Sequence, residues 1–243
     1  MRIRYLLGFL WFAFSDASVA DATQSELRVA VASNFLSTAQ KIADQYQLDT
    51  NQKVVLIAGS TGKLYAQIKN GAPYDVFLAA DEQSVKKLVE SEVVELETIT
   101  SYAIGELLLW SREPLTIEQL SNYSPTRIAL ANPKLAPYGK AAEQVMDALG
   151  LLESWQSSLV LGSNINQVAQ FVFTDSVDLA FVAKSQKNVF KTGYLLNLPA
   201  QSYSPIRQLG AVVSDNERGK AFLSFMTSAK AKRLIAASGY TAP

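Results

Sequence analysis

Residues 57 to 63 read IAGSTGK, a hydroxyl-bearing turn between an apolar run and a helical stretch. Small residues, two hydroxyls at Ser60 and Thr61, and the following Lys63 are the chemistry of an anion grip. The nucleotide phosphate loop requires Gly, four free residues, then Gly-Lys and a Ser or Thr. Here only two residues separate Gly59 from Gly62, and Leu64 follows Lys63. The motif fails at both ends, which leaves a turn suited to some other anion. Three more turns carry related groups. VASNF places Ser33 and Asn34 after a strand, LANPKLAPYGKAAEQV sets Tyr138 just ahead of a helix, and LGSNINQVAQF offers Ser163, Asn164, Ile165 and Asn166. All of these except Ile165 bear a side chain that donates hydrogen bonds, and none is charged at neutral pH. Each also has a plain structural use. Ser, Thr and Asn ahead of helices serve as caps worth about 1 kcal/mol, Tyr138 reads as a packed aromatic, and Lys63 as a solvated charge.

The elements that must position these turns alternate between strand and helix. LRVAVA (27 to 32) alternates like a strand, and Phe35, Leu36, Ala39, Ile42, Ala43 and Tyr46 then recur at helical spacing. KVVLIA (53 to 58), a helix from about 63 to 70, and DVFLAA (75 to 80) continue the series. Asp81 stands where an N-cap belongs ahead of EQSVKKLVE. This order predicts an α/β fold with a parallel sheet and helices on both faces. SYAIGELLLWS (101 to 111) is long for one strand and holds Gly105. A second series follows: RIALA (127 to 131), a helix from about 139 to 149, SSLVLG, a helix from about 166 to 173, and DLAFVA. QLGAVVS (208 to 214) returns as a strand before two closing helices. Two sheets joined by crossings at 101 to 111 and 205 to 213 account for this layout, and one continuous sheet remains the alternative. In open sheets of this kind ligands sit beyond the carboxyl ends of strands, where helix starts offer free N–H groups.

Composition removes most competing chemistries. With no His and no Cys there is no Ser-His relay, no imidazole or thiolate metal ligand and no disulfide. Lys and Arg together number 22 and Asp and Glu 22, so the formal charge is zero and no basic face for nucleic acid is indicated. Arg2 and Arg4, the apolar run YLLGFLWFAF and the small residues of SDASVADA form the three-part layout of a cleaved secretory signal. Cleavage after residue 20 is expected, or after 22, giving an exported, soluble product.

With these turns in view the chain resembles the molybdate-binding proteins, the soluble receptors of ABC importers. The likeness rests on VASNFLSTAQKIADQY, AGSTGKLYAQIKNGAPYDVFLAAD, YAIGELLLWS, NPKLAPYG with its helix, LGLLE, and LAFVA. It implies a type II periplasmic-binding-protein fold: two α/β lobes, 23–104 with 209–243 and 105–208, joined by two crossing segments around a cleft. It further implies a periplasmic, monomeric, non-enzymatic protein that needs no cofactor and delivers molybdate or tungstate to a membrane permease. The oxyanion would be held by Ser33, Asn34, Ser60, Thr61, Tyr138 and Ile165, the last through its backbone N–H, with no direct metal ligand. One departure concerns Ala183, where some relatives carry a ligand-binding tyrosine; Tyr138, standing where those relatives have a small residue, would compensate. Two other readings remain at this point. The same fold could hold another tetrahedral anion such as sulfate, and a secreted enzyme on a phosphorylated substrate would use Lys63 as its charged group. A carboxylate in the cleft, from Asp75 or Asp81, would favour protonated phosphate.

Overall fold

The computed structural model describes residues 26–243, so the segment read as a secretory signal lies outside the described residues. In chain order the elements are β1 (Leu27–Ala32), α1 (Leu36–Thr50), β2 (Val54–Gly59), α2 (Thr61–Lys69), β3 (Val76–Ala79) and α3 (Glu82–Glu90). β4 (Thr100–Gly105), β5 (Leu107–Ser111), β6 (Ile128–Ala131), α4 (Pro137–Ala148) and α5 (Leu152–Trp155) follow. The chain closes with β7 (Leu159–Gly162), α6 (Ile165–Phe173), β8 (Leu179–Ala183), β9 (Tyr194–Asn197), β10 (Ile206–Val212), α7 (Glu217–Met226) and α8 (Ala229–Ala237).

These strands form two five-stranded sheets, β2-β1-β3-β10-β4 and β7-β6-β8-β5-β9. Each sheet is mixed, not purely parallel as the sequence pattern predicted. β1, β2 and β3 run parallel, whereas β10 returns from the second lobe and pairs antiparallel with both β3 and β4. β5 likewise runs antiparallel to β8 and β9. The long apolar stretch at 101 to 111 divides at Glu106, its first half in one sheet and its second half in the other. Gly105 and residues 206 to 208, grouped above with the second lobe, pair within the first: Ile206 opposes Gly105 and Gln208 opposes Ala103. Ladder bonding between the two crossing segments thus continues right up to Glu106.

Each lobe has its own core. α1 lays Ala39, Ile42, Ala43 and Tyr46 along one face, the i, i+3, i+4, i+7 spacing of a helix on a sheet, and all four are buried. Tyr46 meets Phe222 of α7 edge-on at 5.2 Å. Asn51 ends α1 in the left-handed region at φ 59, a conformation Asn tolerates. In the second lobe Trp155, Phe181, Leu107 and Leu109 are fully buried, each contributing about 1.5–3 kcal/mol of transfer energy. Among the described residues no helix is long and apolar enough to cross a membrane.

Candidate functional site

Three α-helix starts and one short turn converge between the lobes. Ser60 precedes α2, Thr61 opens it, Ile165 opens α6, and Ser33–Phe35 form a single 3-10 turn after β1. α4 begins at Pro137, two residues earlier than predicted, so Tyr138 sits in its first turn and not ahead of it. Proline fits the first helical position because its missing N–H would have no partner there. Together Ala32, Ser33, Asn34, Gly59, Ser60, Thr61, Ala136, Pro137, Tyr138 and Ile165 line a small cavity of about 10 Å³. The six residues singled out in the sequence all face this one space. Ser163, Asn164, Asn166 and Lys63 do not line it.

The capping alternative can be decided residue by residue. Asn164 is a true cap: its Oδ1 accepts from the N–H groups of Asn166 and Gln167 at 3.0 and 3.1 Å. Asp81 caps α3 by accepting from Ser84 N at 2.6 Å. Ser60 holds the N-cap position of α2, yet its side chain makes no capping bond. Its Oγ is buried without a hydrogen-bond partner among the described residues, as is the Tyr138 hydroxyl. A buried polar group left unpaired costs about 1–3 kcal/mol, so two of them on residues that line one cavity require an explanation. Thr61 Oγ1 accepts from Ala80 N at 3.1 Å, which leaves its single proton to donate elsewhere. Asn34 spends its side-chain donors on the fold. Its Nδ2 donates to Gln208 Oε1 and to Tyr240 OH, both at 3.1 Å, leaving no side-chain donor for a ligand. It forms part of the wall.

Among the described residues no charged one lines the cavity. Asp75 is committed to Arg28 N at 2.7 Å, Ser214 Oγ at 3.0 Å and Asn216 Nδ2 at 2.7 Å, and Asp81 to its cap. Lys63 is exposed on α2. Lys63→Ala is accordingly expected to change ligand affinity by less than about twofold in calorimetry, because an exposed charge is screened. The Tyr138 phenol is pushed well above its ordinary pKa, first by burial and then by the neighbouring phenols of Tyr240, Tyr102 and Tyr203; the nearby Asn34 amide opposes this weakly. It therefore remains a protonated donor throughout the neutral range. Ala183 is buried and offers no hydroxyl.

The lobes touch around this space. Gly62 N donates to Leu135 O at 2.9 Å, and Ser185 Oγ to the Asn34 carbonyl at 3.1 Å. Behind the cavity lies a network that local sequence patterns did not disclose. Tyr240 OH donates to Asn34 O at 2.7 Å, and Tyr102 OH lies 3.1 Å from both Ala79 O and Gln208 Oε1. The sole hint was an amide heading the otherwise apolar QLGAVV.

Two lobes meeting over a small hollow of uncharged donors have the architecture of a solute receptor. The chain belongs to the bacterial extracellular solute-binding protein family, whose sequence profile matches residues 27–241. It is 41% identical over 249 residues to the molybdate-binding protein ModA of Azotobacter vinelandii, covering 97% of this chain and 98% of that one. Identity to ModA of Rhodobacter capsulatus is 35%, over 90% and 89% of the two chains. The solved Azotobacter vinelandii periplasmic molybdate-binding protein superposes with a TM-score of 0.84 at 36% identity, over 90% of this chain and 100% of that one.

Proposed function

We propose that this protein is a monomeric periplasmic receptor that captures molybdate, and tungstate with it, for uptake through the membrane permease of an ABC importer. The observation that supports this reading is the cavity lining: Ser33, Ser60, Thr61 and Tyr138, whose hydroxyls can donate, and Ile165, which brings the first N–H of α6, with no charged residue among them. Molybdate and tungstate are tetrahedral dianions that accept hydrogen bonds and donate none near neutral pH. Neutral donors at helix starts match them without a counter-charge, since the N-terminal ends carry partial positive charge. Hydrogen bonds to a charged partner contribute roughly 1.5–3 kcal/mol each, so five supply roughly 7–15 kcal/mol before ordering and desolvation are subtracted. Micromolar affinity requires about 8 kcal/mol. Hydrogen phosphate is disfavoured because its proton would find no carboxylate in the wall. Burying the anion as the lobes close removes competing water and strengthens each bond.

The test is calorimetry with molybdate, tungstate and sulfate side by side, with melting curves in parallel. Molybdate and tungstate should bind at micromolar concentration or below and raise the melting temperature by about 10 °C at a thousandfold excess over Kd. Sulfate, with the same shape and charge but shorter bonds, should bind far more weakly because it cannot reach both lobes at once. Absence of heat with both molybdate and tungstate would defeat the proposal, and preferential sulfate binding would reassign the ligand within the same fold.

A further inference from the structure

The turn that carries Ser33 and Asn34 is the least self-sufficient part of the cavity wall. Ser33–Phe35 form one 3-10 turn with no side-chain cap, and all three residues are buried. The internal bonding of such a turn is poor, so its placement depends on what packs beneath it. Tyr240 fills that role, from the tail that follows α8. Its hydroxyl donates to the Asn34 carbonyl at 2.7 Å and accepts from Asn34 Nδ2 at 3.1 Å. One phenol thus grips both the main chain and the side chain of a residue that lines the cavity. Its ring meets Phe35 edge-on at 5.2 Å. Burial pushes the Tyr240 phenol up to about 12, so the hydroxyl keeps its proton in the neutral range. The tail is itself anchored. Gly239 turns the chain out of α8 at φ 87, and Thr241 exchanges backbone bonds of 2.9 and 3.1 Å with Ile104 of β4.

We infer that Tyr240 is the positioning residue for the Ser33–Asn34 turn: its hydroxyl fixes Asn34 where the donors of the turn reach the bound oxyanion. The inference rests on the oxyanion reading above and deepens it. A dianion that only accepts hydrogen bonds is repelled by any free lone pair beside it. A backbone carbonyl has two lone pairs. At Asn34 the Tyr240 hydroxyl takes one from the first lobe, and Ser185 Oγ takes the other from the second at 3.1 Å. The clasp therefore holds the turn in place and leaves no unmasked acceptor on the Asn34 main chain. Tyr240 does not line the cavity, so it acts through Asn34 and not on the ligand.

The experiment is a pair of double-mutant cycles read by molybdate calorimetry on the full mature chain. Tyr240→Phe keeps the ring on Phe35 and removes only the hydroxyl. It should raise the Kd by roughly 3- to 10-fold, the worth of one neutral hydrogen bond. Ser33→Ala should cost roughly 10- to 100-fold in the wild-type background. In Tyr240→Phe that penalty should shrink by at least about threefold, because a displaced turn no longer presents the Ser33 hydroxyl. Thr61→Val, on another turn and bonded to Ala80 N, should cost the same in both backgrounds within about twofold. General loosening of the protein would shrink both penalties alike. If Tyr240→Phe fails to fold, Thr241→Pro serves in its place: it removes the exposed tail's N–H bond to Ile104 O and slackens the same clasp. An undiminished Ser33→Ala penalty, or equal shrinkage of both penalties, overturns the inference alone. Absence of molybdate and tungstate binding by the wild-type protein overturns the functional reading, and the inference with it.

Discussion

Thr61→Val should weaken molybdate binding by roughly 10- to 150-fold while lowering the melting temperature of the ligand-free protein by several degrees. Both effects follow from one hydroxyl with two tasks. Thr61 is 1% exposed and opens α2 at the mouth of the GSTG turn. Its Oγ1 accepts the N–H of Ala80, which lies just past the end of β3 and so has no strand partner there. Valine keeps the branched shape and fills the same space, so no cavity term enters. It removes the acceptor, and the orphaned Ala80 N–H costs about 1–3 kcal/mol of stability. It also removes a donor to the anion, a further 1.5–3 kcal/mol that appears only in binding. Thr61→Ser retains both bonds and should restore most of each loss. Calorimetry with paired melting curves separates the two effects, and wild-type affinity in Thr61→Val would show that the hydroxyl does not face the ligand.

Much of this arrangement was legible in the chain because it is written locally. Alternating runs gave the strands, helical spacing gave α1, and Asp81 three residues ahead of Ser84 gave a cap that the structure forms. The turns were legible for the same reason: donors between a strand and a helix can only sit at the carboxyl edge of a sheet. What could not be read is which donors are spent on the fold. Asn164 and Ser60 occupy equivalent N-cap positions, yet one caps and the other leaves its Oγ unpaired. That difference depends on side-chain direction, to which spacing is blind. The direction of the strands was also hidden. β10 enters the first sheet antiparallel because the chain re-enters from the second lobe, a fact of connectivity and not of its residues. The wall behind the site was the least legible part. Asn34 joins Gln208 and Tyr240 across separations of 174 and 206 residues, and no local pattern spans such distances. No spacing rule therefore shows that the Asn34 side-chain amide is committed to the fold.

Gly62→Val is expected to have the largest effect on binding, a loss of at least roughly 100-fold, with little change in the stability of the ligand-free protein. Gly62 is in the first turn of α2, and its N–H donates to Leu135 O of the opposite lobe at 2.9 Å. A Cβ there would stand 3.0 Å from that oxygen and 3.2 Å from Leu135 Cα. Both are backbone atoms, so no side chain can swing away, and the two further methyls of valine add to the contact. The cheapest relief is for the lobes to part. An anion in the parted cleft keeps Ser33, Ser60 and Thr61 from the first lobe but loses Tyr138 and Ile165 from the second. Two hydrogen bonds to a charged ligand amount to roughly 3–6 kcal/mol, or more than two orders of magnitude in Kd. The first lobe has two clusters and the second lobe a third, which takes in only Ala32, Ala80 and Ile206 from the first, so separating the lobes leaves most of the packing inside each intact. Small-angle scattering should then show that saturating molybdate compacts the wild-type protein and leaves Gly62→Val unchanged. A variant that still compacts and binds tightly would mean that the GSTG turn yields locally, and that Gly62 serves the turn and not the closure.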